Sequence, residues 1–323
     1  MGRRGSRRDR TERFREEESL RMAVAVFDVV NEAVLVTNRD NKIIAVNPSF
    51  TEVTGYQANE VMGKDPRILS DGSMQPELIK DLWRTLVRTG RWQGELTNRR
   101  KNGDSYICWL SVNSVRDDAG HVTSFVSVFS DITERKENER RIHYLAHYDL
   151  TTGLPNRALF NDRLRQSVLA AKRYQAKLTL MFIDLDKFKP VNDRYGHDVG
   201  DLLLKEVAKR LRGCIRESDT AARIGGDEFI VLLPGTDSER SVMSVAGKML
   251  QEIEQPFLVD EHSISISASI GIAVYPEHGE DVREILKHAD LAMYQAKQEK
   301  NPSIVFYGDL QEAGLHTQQE MPY

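Results

Sequence analysis

Short runs of alternating apolar and polar residues occupy the first half of the chain, and a period of two is typical of β-strands. Two of these runs, 33–37 and 42–46, flank the polar segment 38–41, which predicts a β-hairpin. Residues with helical periodicity follow, and longer strand-like runs come after them. The predicted helices are 48–54 and 75–89, and the further strands are 92–98, 104–115 and 121–131. Five strands with a helical insert predict a small α+β domain.

The second half alternates apolar strands with amphipathic helices, which is the pattern of an α/β domain. The predicted strands are 177–183, 220–224, 229–233, 263–275 and 303–307. The predicted helices are 198–214, 238–253 and 282–297. Together they predict a mixed sheet with helices packed on both of its faces.

Two further helices are predicted outside these domains. One covers 20–27 and leads into the first domain. The other covers 133–150 and carries a narrow apolar stripe of Ile142, Leu145 and Ala146. So narrow a stripe favours a contact between two helices in a dimer. A short solvated spacer is the alternative interpretation.

The composition is that of a folded protein of two domains, with 40% apolar and 29% charged residues in a chain of 323. The net charge of −4 argues against a nucleic-acid polymer as a partner. Cys108 and Cys214 lie far apart without metal-ligand spacing, which fits a reducing, cytoplasmic location. No apolar run approaches the ~20 residues of a membrane-spanning helix.

Basic residues crowd the N-terminal segment. Because charge runs are usually solvated, the segment is predicted to be an unstructured tail without a function of its own. Contact with acidic lipid is the alternative. The residues are Arg3, Arg4, Arg7, Arg8, Arg10, Arg13 and Arg15.

Several short motifs follow one another in the first domain, and their order is more specific than any one of them. They are Asn47-Pro48-Ser49-Phe50, Thr54-Gly55-Tyr56, Gly63-Lys64-Asp65, Trp92-Gln93-Gly94-Glu95 and Asp131-Ile132-Thr133-Glu134-Arg135. On these motifs, residues 30–133 resemble a PAS domain, a sensor module. The last motif resembles the junction that commonly ends such a domain.

PAS domains often hold a cofactor, and the resemblance makes a bound flavin one hypothesis. The stretches 90–95 and 98–101 look like those of flavin-binding redox PAS domains. The alternative is that Trp92 only packs in the core. Flavin–cysteine photochemistry is not expected, since Pro66 stands where it needs a cysteine. A haem is not expected either, since the single histidine of the PAS domain, His121, lies at a hairpin turn.

Two carboxylates, Asp184 and Asp186, follow the apolar strand 177–183. Side chains two residues apart lie on the same side of a strand, so both are expected at its mouth. Carboxylates in that place suit Mg²⁺ bound to a polyphosphate, because Mg²⁺ takes one or two of them and leaves its other positions to phosphate and water. The alternative is that such an aspartate only caps a turn.

A Gly-Gly turn joins two of the later predicted strands, and acidic residues follow it directly. Gly225 and Gly226 lack Cβ atoms, which lets the backbone approach a phosphate closely. Asp227 and Glu228 come next, and Arg223 stands just before the turn. Taken alone, this segment is an ordinary acidic hairpin.

The two acidic motifs together resemble the GGDEF family of diguanylate cyclases across residues 148–308. Segments 149–157, 192–201 and 289–297 match the family as well. The resemblances imply an α+β chain in which a PAS sensor domain is joined by a helical linker to an α/β GGDEF domain of the cyclase-palm type. The expected ranges are a basic segment 1–20, the PAS domain 21–133, the linker 134–150, the GGDEF domain 151–310 and a tail 311–323.

The resemblance implies roles for the matching residues. The ligands of Mg²⁺ or Mn²⁺ would be Asp184, the carbonyl of Leu185, Asp227 and Glu228. Asn192 and Asp201 would bind guanine, because an amide and a carboxylate suit its acceptors and donors. The full set of substrate contacts would be Asn192, His197, Asp201, Gly225, Gly226 and Lys297. Asp227 would accept the proton of the ribose 3′-hydroxyl, and Lys189 with Lys297 would neutralise phosphate charge.

The resemblance also implies regulation and assembly. Arg216 and Asp219 match the Arg-x-x-Asp site at which cyclic di-GMP inhibits the family, and an ion pair at a helix end is the alternative. One domain would hold one GTP, so catalysis would need a homodimer formed through the linker helix and the PAS domain. After Lys297 the family often has Gly-Arg-Asn, whereas segment 298–302 lacks that arginine and Lys300 is its candidate substitute.

The sequence therefore predicts a diguanylate cyclase, a nucleotidyltransferase that condenses two GTP into cyclic di-GMP and two pyrophosphates. The alternative is a catalytically weak GGDEF domain that binds GTP or cyclic di-GMP and signals through a partner. The intact acidic pair of Asp227 and Glu228 favours the enzyme. The polar segment 311–323 neither supports nor excludes a further domain that degrades cyclic di-GMP.

Overall fold

Helix α1 (Gly5–Val29) begins the part of the chain that the computed structural model describes, which comprises residues 5–72, 76–236, 238–299 and 303–313. The sequence analysis predicted an unstructured basic tail here, and that prediction is wrong from Gly5 onward. Arginine and glutamate are good helix formers, so the helix predicted over 20–27 continues toward the N-terminus. Arg3 and Arg4 lie outside the described residues.

The first unit of the chain contains a five-stranded antiparallel sheet with the order β2-β1-β5-β4-β3. Its strands are β1 (Ala33–Asn38), β2 (Ile43–Val46), β3 (Arg91–Arg99), β4 (Ser105–Arg116) and β5 (Val122–Asp131). Between β2 and β3 lie α2 (Pro48–Thr54), α3 (Ala58–Val61), a 3₁₀ turn at Pro66–Leu69 and α4 (Pro76–Thr89). This is the predicted arrangement of five strands with a helical insert, to which the structure adds α3 and the 3₁₀ turn.

Asn47 explains why α2 begins where it does. Its Oδ1 accepts the backbone N–H of Phe50 at 3.0 Å and that of Val34 at 2.8 Å. One side chain thereby caps the helix and ties it to β1. Gly55 ends the helix in the left-handed conformation, with φ of 75°.

The second unit, which begins at Arg141, contains a mixed sheet with the order β12-β11-β6-β8-β7. Its strands are β6 (Leu178–Asp186), β7 (Thr220–Gly225), β8 (Glu228–Pro234), β11 (Ser267–Tyr275) and β12 (Ile304–Phe306). Only β11 and β12 pair in parallel. A separate hairpin consists of β9 (Phe257–Val259) and β10 (His262–Ile264), so the long strand predicted over 263–275 is divided.

Helices cover both faces of this sheet, as the sequence predicted. They are α6 (Arg157–Tyr174), α7 (Phe188–Tyr195), α8 (His197–Cys214), α9 (Glu239–Glu254), α10 (Val282–Gln298) and α11 (Tyr307–Glu312). One face packs against α8 and α9, and the other packs against α6 and α10. The central strand β6 is therefore buried on both sides, which is why residues 180–183, directly before Asp184, are all apolar.

Helix α5 (Thr133–His147) precedes the second sheet and ends three residues before the predicted limit. The helix stops because Asp149 turns the chain: its Oδ1 accepts the backbone N–H of Thr152 at 2.8 Å and the hydroxyl of Thr152 at 2.6 Å. None of the described helices combines the length and the apolar character that crossing a bilayer needs.

Candidate active site

The two acidic motifs meet at one end of the central strand. The register pairs Asp184 of β6 with Glu228 of β8, and the backbone N–H of Leu185 donates to the carbonyl of Asp227 at 3.2 Å. Asp184 is 5% exposed, while Asp227 and Glu228 are half-buried. The structure thus brings together the four residues predicted as metal ligands, together with the Gly225-Gly226 turn.

Asp186, the second carboxylate of the strand-end motif, has a different environment. Its two oxygens accept hydrogen bonds from the hydroxyls of Ser267 at 2.7 Å and Ser269 at 3.0 Å. Both serines belong to the neighbouring strand β11. Asp186 is thus bonded within the sheet, which agrees with its absence from the four residues predicted as metal ligands.

Lys297 of α10 lies directly against Asp184, with its Nζ 2.7 Å from Oδ1. Burial raises the pKa of Asp184; the charges of Asp227 and Asp186 raise it further, and Lys297 opposes them without reversing the direction. Burial by itself lowers the pKa of Lys297, but the hydrogen bond and the charge of Asp184 raise it overall. The Lys297 side chain is 48% exposed, so its ammonium group can contact a bound ligand while it remains paired with Asp184.

Two neighbours of Glu228 were not assigned a role from the sequence. Burial raises the pKa of Glu228, and the charges of Asp184 and Asp290 raise it further, whereas Arg157 lowers it. Burial also raises the pKa of Asp290. Asp290 lies in segment 289–297 and Arg157 in segment 149–157. Both segments matched the family, and this match is the signal in the sequence that could have identified the two residues.

The guanidinium of Arg223 holds the Gly-Gly turn in place. Its Nε and Nη2 donate to the carbonyl of Gly226 at 2.9 and 2.7 Å, and its Nη1 lies 3.1 and 3.2 Å from the carboxylate oxygens of Asp149. The Arg223 side chain is only 11% exposed. Gly226 has a φ of 48°, a conformation that glycine adopts without strain. One side chain therefore connects the turn to the segment that follows α5.

The predicted guanine-binding residues lie on the two helices after β6. Asn192 is in the last turn of α7, His197 begins α8, and Asp201 lies one turn further along α8. His197 and Asp201 are exposed, whereas the Oδ1 atom of Asn192 is buried and accepts no hydrogen bond. Lys189 is exposed in the first turn of α7. No hydrogen bond or ion pair links these four side chains to the carboxylates among the described residues.

The donor set fits Mg²⁺ or Mn²⁺, although it does not form a complete cage. Among the described residues, no group of three or more His, Cys, Asp or Glu side chains is arranged to hold a metal ion by itself. Mg²⁺ needs only one or two carboxylates when phosphates supply other ligands. The raised pKa values of Asp184 and Glu228 indicate carboxylates that positive charge would stabilise.

Arg216 and Asp219 lie before β7, at the opposite end of that strand from the Gly-Gly turn. An Asp219 carboxylate oxygen accepts the backbone N–H of Arg216 at 2.9 Å, which closes a turn. Across the described part of the chain, the guanidinium of Arg216 forms no ion pair. The alternative, an ion pair between the side chains of Arg216 and Asp219, is therefore not formed in this structure. Lys300, the candidate substitute for the missing arginine, lies outside the described residues.

Family models match both parts of the chain. Residues 146–303 match the model described as diguanylate cyclase, GGDEF domain, and residues 31–134 match a PAS domain model. The chain therefore belongs to the GGDEF family and carries a PAS domain ahead of its GGDEF domain. The predicted order of the two domains and the fold class are confirmed.

Two bacterial proteins of cyclic di-GMP metabolism are similar to this chain. The chain is 42% identical over 182 residues to the bifunctional diguanylate cyclase/cyclic di-GMP phosphodiesterase MucR of Pseudomonas aeruginosa, covering 56% of this chain and 26% of MucR. It is 31% identical over 281 residues to the cyclic di-GMP phosphodiesterase PdeR of Escherichia coli, covering 86% of this chain and 42% of PdeR. The chain thus spans less than half the length of either relative.

A solved structure is similar to the second unit. The GGDEF domain of TpbB, also called YfiN, from Pseudomonas aeruginosa is 40% identical, with a TM-score of 0.51. The match covers 53% of this chain and 100% of that one. The similarity supports the fold of the second unit.

Proposed function

We propose that the chain is a diguanylate cyclase that condenses two GTP into cyclic di-GMP and two pyrophosphates. One observation carries the proposal: the buried Asp184 lies opposite Glu228, and Leu185 holds the backbone of Asp227 beside them. Carboxylates with raised pKa values at the mouth of a rigid strand suit a cation-bound triphosphate.

In the proposed reaction, a ribose 3′-hydroxyl attacks the α-phosphorus of the GTP in the partner domain, and the bond to pyrophosphate breaks. Asp227 accepts the proton of that hydroxyl. Asn192 and Asp201 hold the guanine, His197 lies beside it, and Lys189 with Lys297 balances phosphate charge. Gly225 and Gly226 allow the backbone to approach the phosphates. Mg²⁺ or Mn²⁺, when bound by Asp184, Leu185, Asp227 and Glu228, would offset the charge of the triphosphate.

The direct test is turnover of GTP by the purified chain with MgCl₂. We expect one cyclic di-GMP and two pyrophosphates for every two GTP consumed, measured by chromatography and a pyrophosphate assay. Excess chelator should stop the reaction, and added Mg²⁺ or Mn²⁺ should restore it. If the chain binds GTP but releases no pyrophosphate with either ion, it is the binding module that the sequence left as the alternative.

We also propose that the active form is a homodimer assembled through α5 and the PAS domain. One site holds one GTP, so two sites must face each other to form both new bonds. Helix α5 has no buried residue and exposes large apolar side chains, with Ile142 66% and Leu145 45% exposed. Such a stripe suits a second copy of the same helix. Sedimentation at the assay concentration measures this, and an active monomer would contradict it.

The PAS domain is proposed as the regulatory part, and its interior offers a place for a ligand. A cavity of about 440 Å³ lies among largely apolar side chains such as Leu35, Leu86 and Phe129. Trp92 packs in the core and donates to Asp81 at 3.4 Å, outside that cavity lining. Flavin is one candidate for that ligand, and an absorption spectrum without flavin bands would exclude it.

The free thiols Cys108 and Cys214 support the proposed cytoplasmic location.

Product inhibition through Arg216 and Asp219 gives a further prediction. Arg216 is exposed, and residues 217–220, which follow it in the chain, line an open groove. Its guanidinium can therefore pair with phosphate or guanine acceptors. We expect Arg216→Ala to raise the cyclic di-GMP concentration needed for half-inhibition by about tenfold or more, with the uninhibited rate unchanged. Arg165→Ala, an exposed arginine on α6 outside the groove, is the matched control. Unaltered inhibition in Arg216→Ala would reject the site.

A further inference from the structure

Gly200 stands in the first turn of α8, where a glycine is unexpected. Its backbone is helical and lacks a positive φ, so no special conformation requires it. The residue is also buried. Glycine is a poor helix former and alanine the best, so a buried helical glycine implies that something occupies the space of its side chain.

The occupant is the carboxamide of Asn192. A Cβ added to Gly200 would lie 1.8 Å from Oδ1 and 3.0 Å from Cγ of Asn192, while its next neighbour, an atom of Phe188, is in ordinary contact at 3.4 Å. Gly213, near the other end of the same helix, shows the contrast, because nothing lies within 4 Å of its added Cβ. Gly200 is thus the position at which α8 makes room for a side chain of α7.

In this contact the oxygen end of the carboxamide is the one that faces Gly200. The Oδ1 of Asn192 is buried against Gly200 and accepts no hydrogen bond, whereas the Nδ2 group is not enclosed in this way. Asn192 therefore presents N–H donors to a ligand. The O6 and N7 atoms of guanine are both acceptors, whereas adenine carries an amino donor in place of O6.

We infer that Gly200 is a positioning residue for base selection: the space at its Cα seats the Asn192 oxygen, so that the amide offers only donors and favours guanine over adenine. The inference rests on the proposed function, because it assumes that Asn192 faces the base of a bound nucleotide. It assigns a task to a residue that itself has no side chain with which to touch the substrate.

The test variant is Gly200→Ala, with Gly213→Ala as the matched control in the same helix. The atom that alanine displaces is the end of a movable side chain, so we expect the melting temperature to stay equal or rise. The KM for GTP should increase about tenfold, because the amide loses its seat, while kcat at saturating GTP stays within about twofold. Preference for GTP over ATP should fall, because a displaced amide can rotate and accept from adenine. Gly213→Ala should match wild type in both nucleotide measurements.

A double-mutant cycle separates positioning from a general effect on the fold. In an Asn192→Ala background, Gly200→Ala should cause no further loss of GTP affinity, because no carboxamide remains to be displaced. Asn192→Asp, which keeps the shape but has no N–H donor, should also bind GTP about tenfold more weakly. This second variant tests the donor assignment even if Gly200→Ala does not fold.

Affinity is read by titration with a non-hydrolysable GTP analogue, so it does not depend on turnover. Equal affinity of wild type and Gly200→Ala for the analogue, or an undiminished effect of Gly200→Ala in the Asn192→Ala background, would overturn the inference. Wild-type GTP affinity in Asn192→Asp would overturn the donor assignment. Absence of product from wild type that binds the analogue contradicts the proposed function instead.

Discussion

Replacing Asp227 by asparagine is expected to reduce GTP turnover about a thousandfold and to leave the fold intact. Asparagine keeps the shape of the side chain, and the backbone carbonyl that accepts from Leu185 is unaffected. The amide cannot take up a proton from the 3′-hydroxyl, which is the task proposed for this carboxylate. The initial rate of cyclic di-GMP formation measures the loss.

Two controls define what the Asp227→Asn result means. Asp260 lies in the exposed turn between β9 and β10 with a φ of 50°, and asparagine tolerates that conformation well, so Asp260→Asn should retain the wild-type rate. Titration with Mg²⁺ separates weakened ion binding from lost proton transfer, because only the former is restored at high Mg²⁺. Turnover within tenfold of wild type would remove Asp227 from the mechanism.

Arg223→Met is expected to lower kcat about a hundredfold, through the position of the turn and not through any contact with substrate. Methionine fills similar space but cannot donate to the Gly226 carbonyl or pair with Asp149. The turn that carries Asp227 then loses its fixed position. The unfolding free energy should fall by about 1 kcal/mol, because the partly buried Asp149 and the Gly226 carbonyl lose their donor.

The pH dependence of Arg223→Met provides an independent readout. Burial raises the pKa of Asp149, but hydrogen bonds from Thr152 and the charge of Arg223 outweigh it and hold the pKa below its usual value. A depressed carboxylate pKa stabilises the fold above the unfolded value, and this stabilisation is lost as the pH falls through the folded pKa. The stability difference between variant and wild type should therefore be largest near neutral pH and shrink below about pH 4.

A second arginine in the same domain serves as the matched control. Arg210 donates to the carbonyls of Glu252, Gln255 and Pro256 and lies over the ring of Phe257, far along α8 from the acidic strand end. Arg210→Met should lower the melting temperature with little change in kcat. If both arginine variants lose activity in proportion to stability, the turn has no special dependence on Arg223.

The centre of the candidate site could be predicted because its features are local in sequence. An apolar run that ends at Asp184 and a glycine pair followed by Asp227 each specify their own geometry, and the sheet register then places them together. Spacing could not show how Asp186 is bonded, since its partners Ser267 and Ser269 are more than eighty residues away in the chain. The bond between Arg223 and Asp149 joins positions 74 residues apart, and nothing in either segment indicates the other.

Some helices and strand ends were not predicted, although the sequence carries a signal for them. Helix α6 was not predicted, although its buried Phe160, Leu164, Val168 and Ala171 recur at helical spacing. Helix α7 is short and follows the strand-end motif directly, so its residues were read as chemistry and not as structure. The break before β11 depends on a pairing between β9 and β10, and the alternation of serine with apolar residues continues across the break and conceals it.

The central position of β6 has a consequence for how the site tolerates thermal fluctuation. Strand β6 pairs with β8 on one side and β11 on the other, and helices cover both of its faces. Amide hydrogens at Ile183 and Leu185 can exchange with solvent only when the whole sheet opens, so their protection should equal the global stability. Asn192 and His197 lie on a short helix and a helix end, which open at lower free energy. In the proposed mode of binding, the phosphate side of the site is thus as stable as the domain, and the base side is the part that admits and releases a nucleotide.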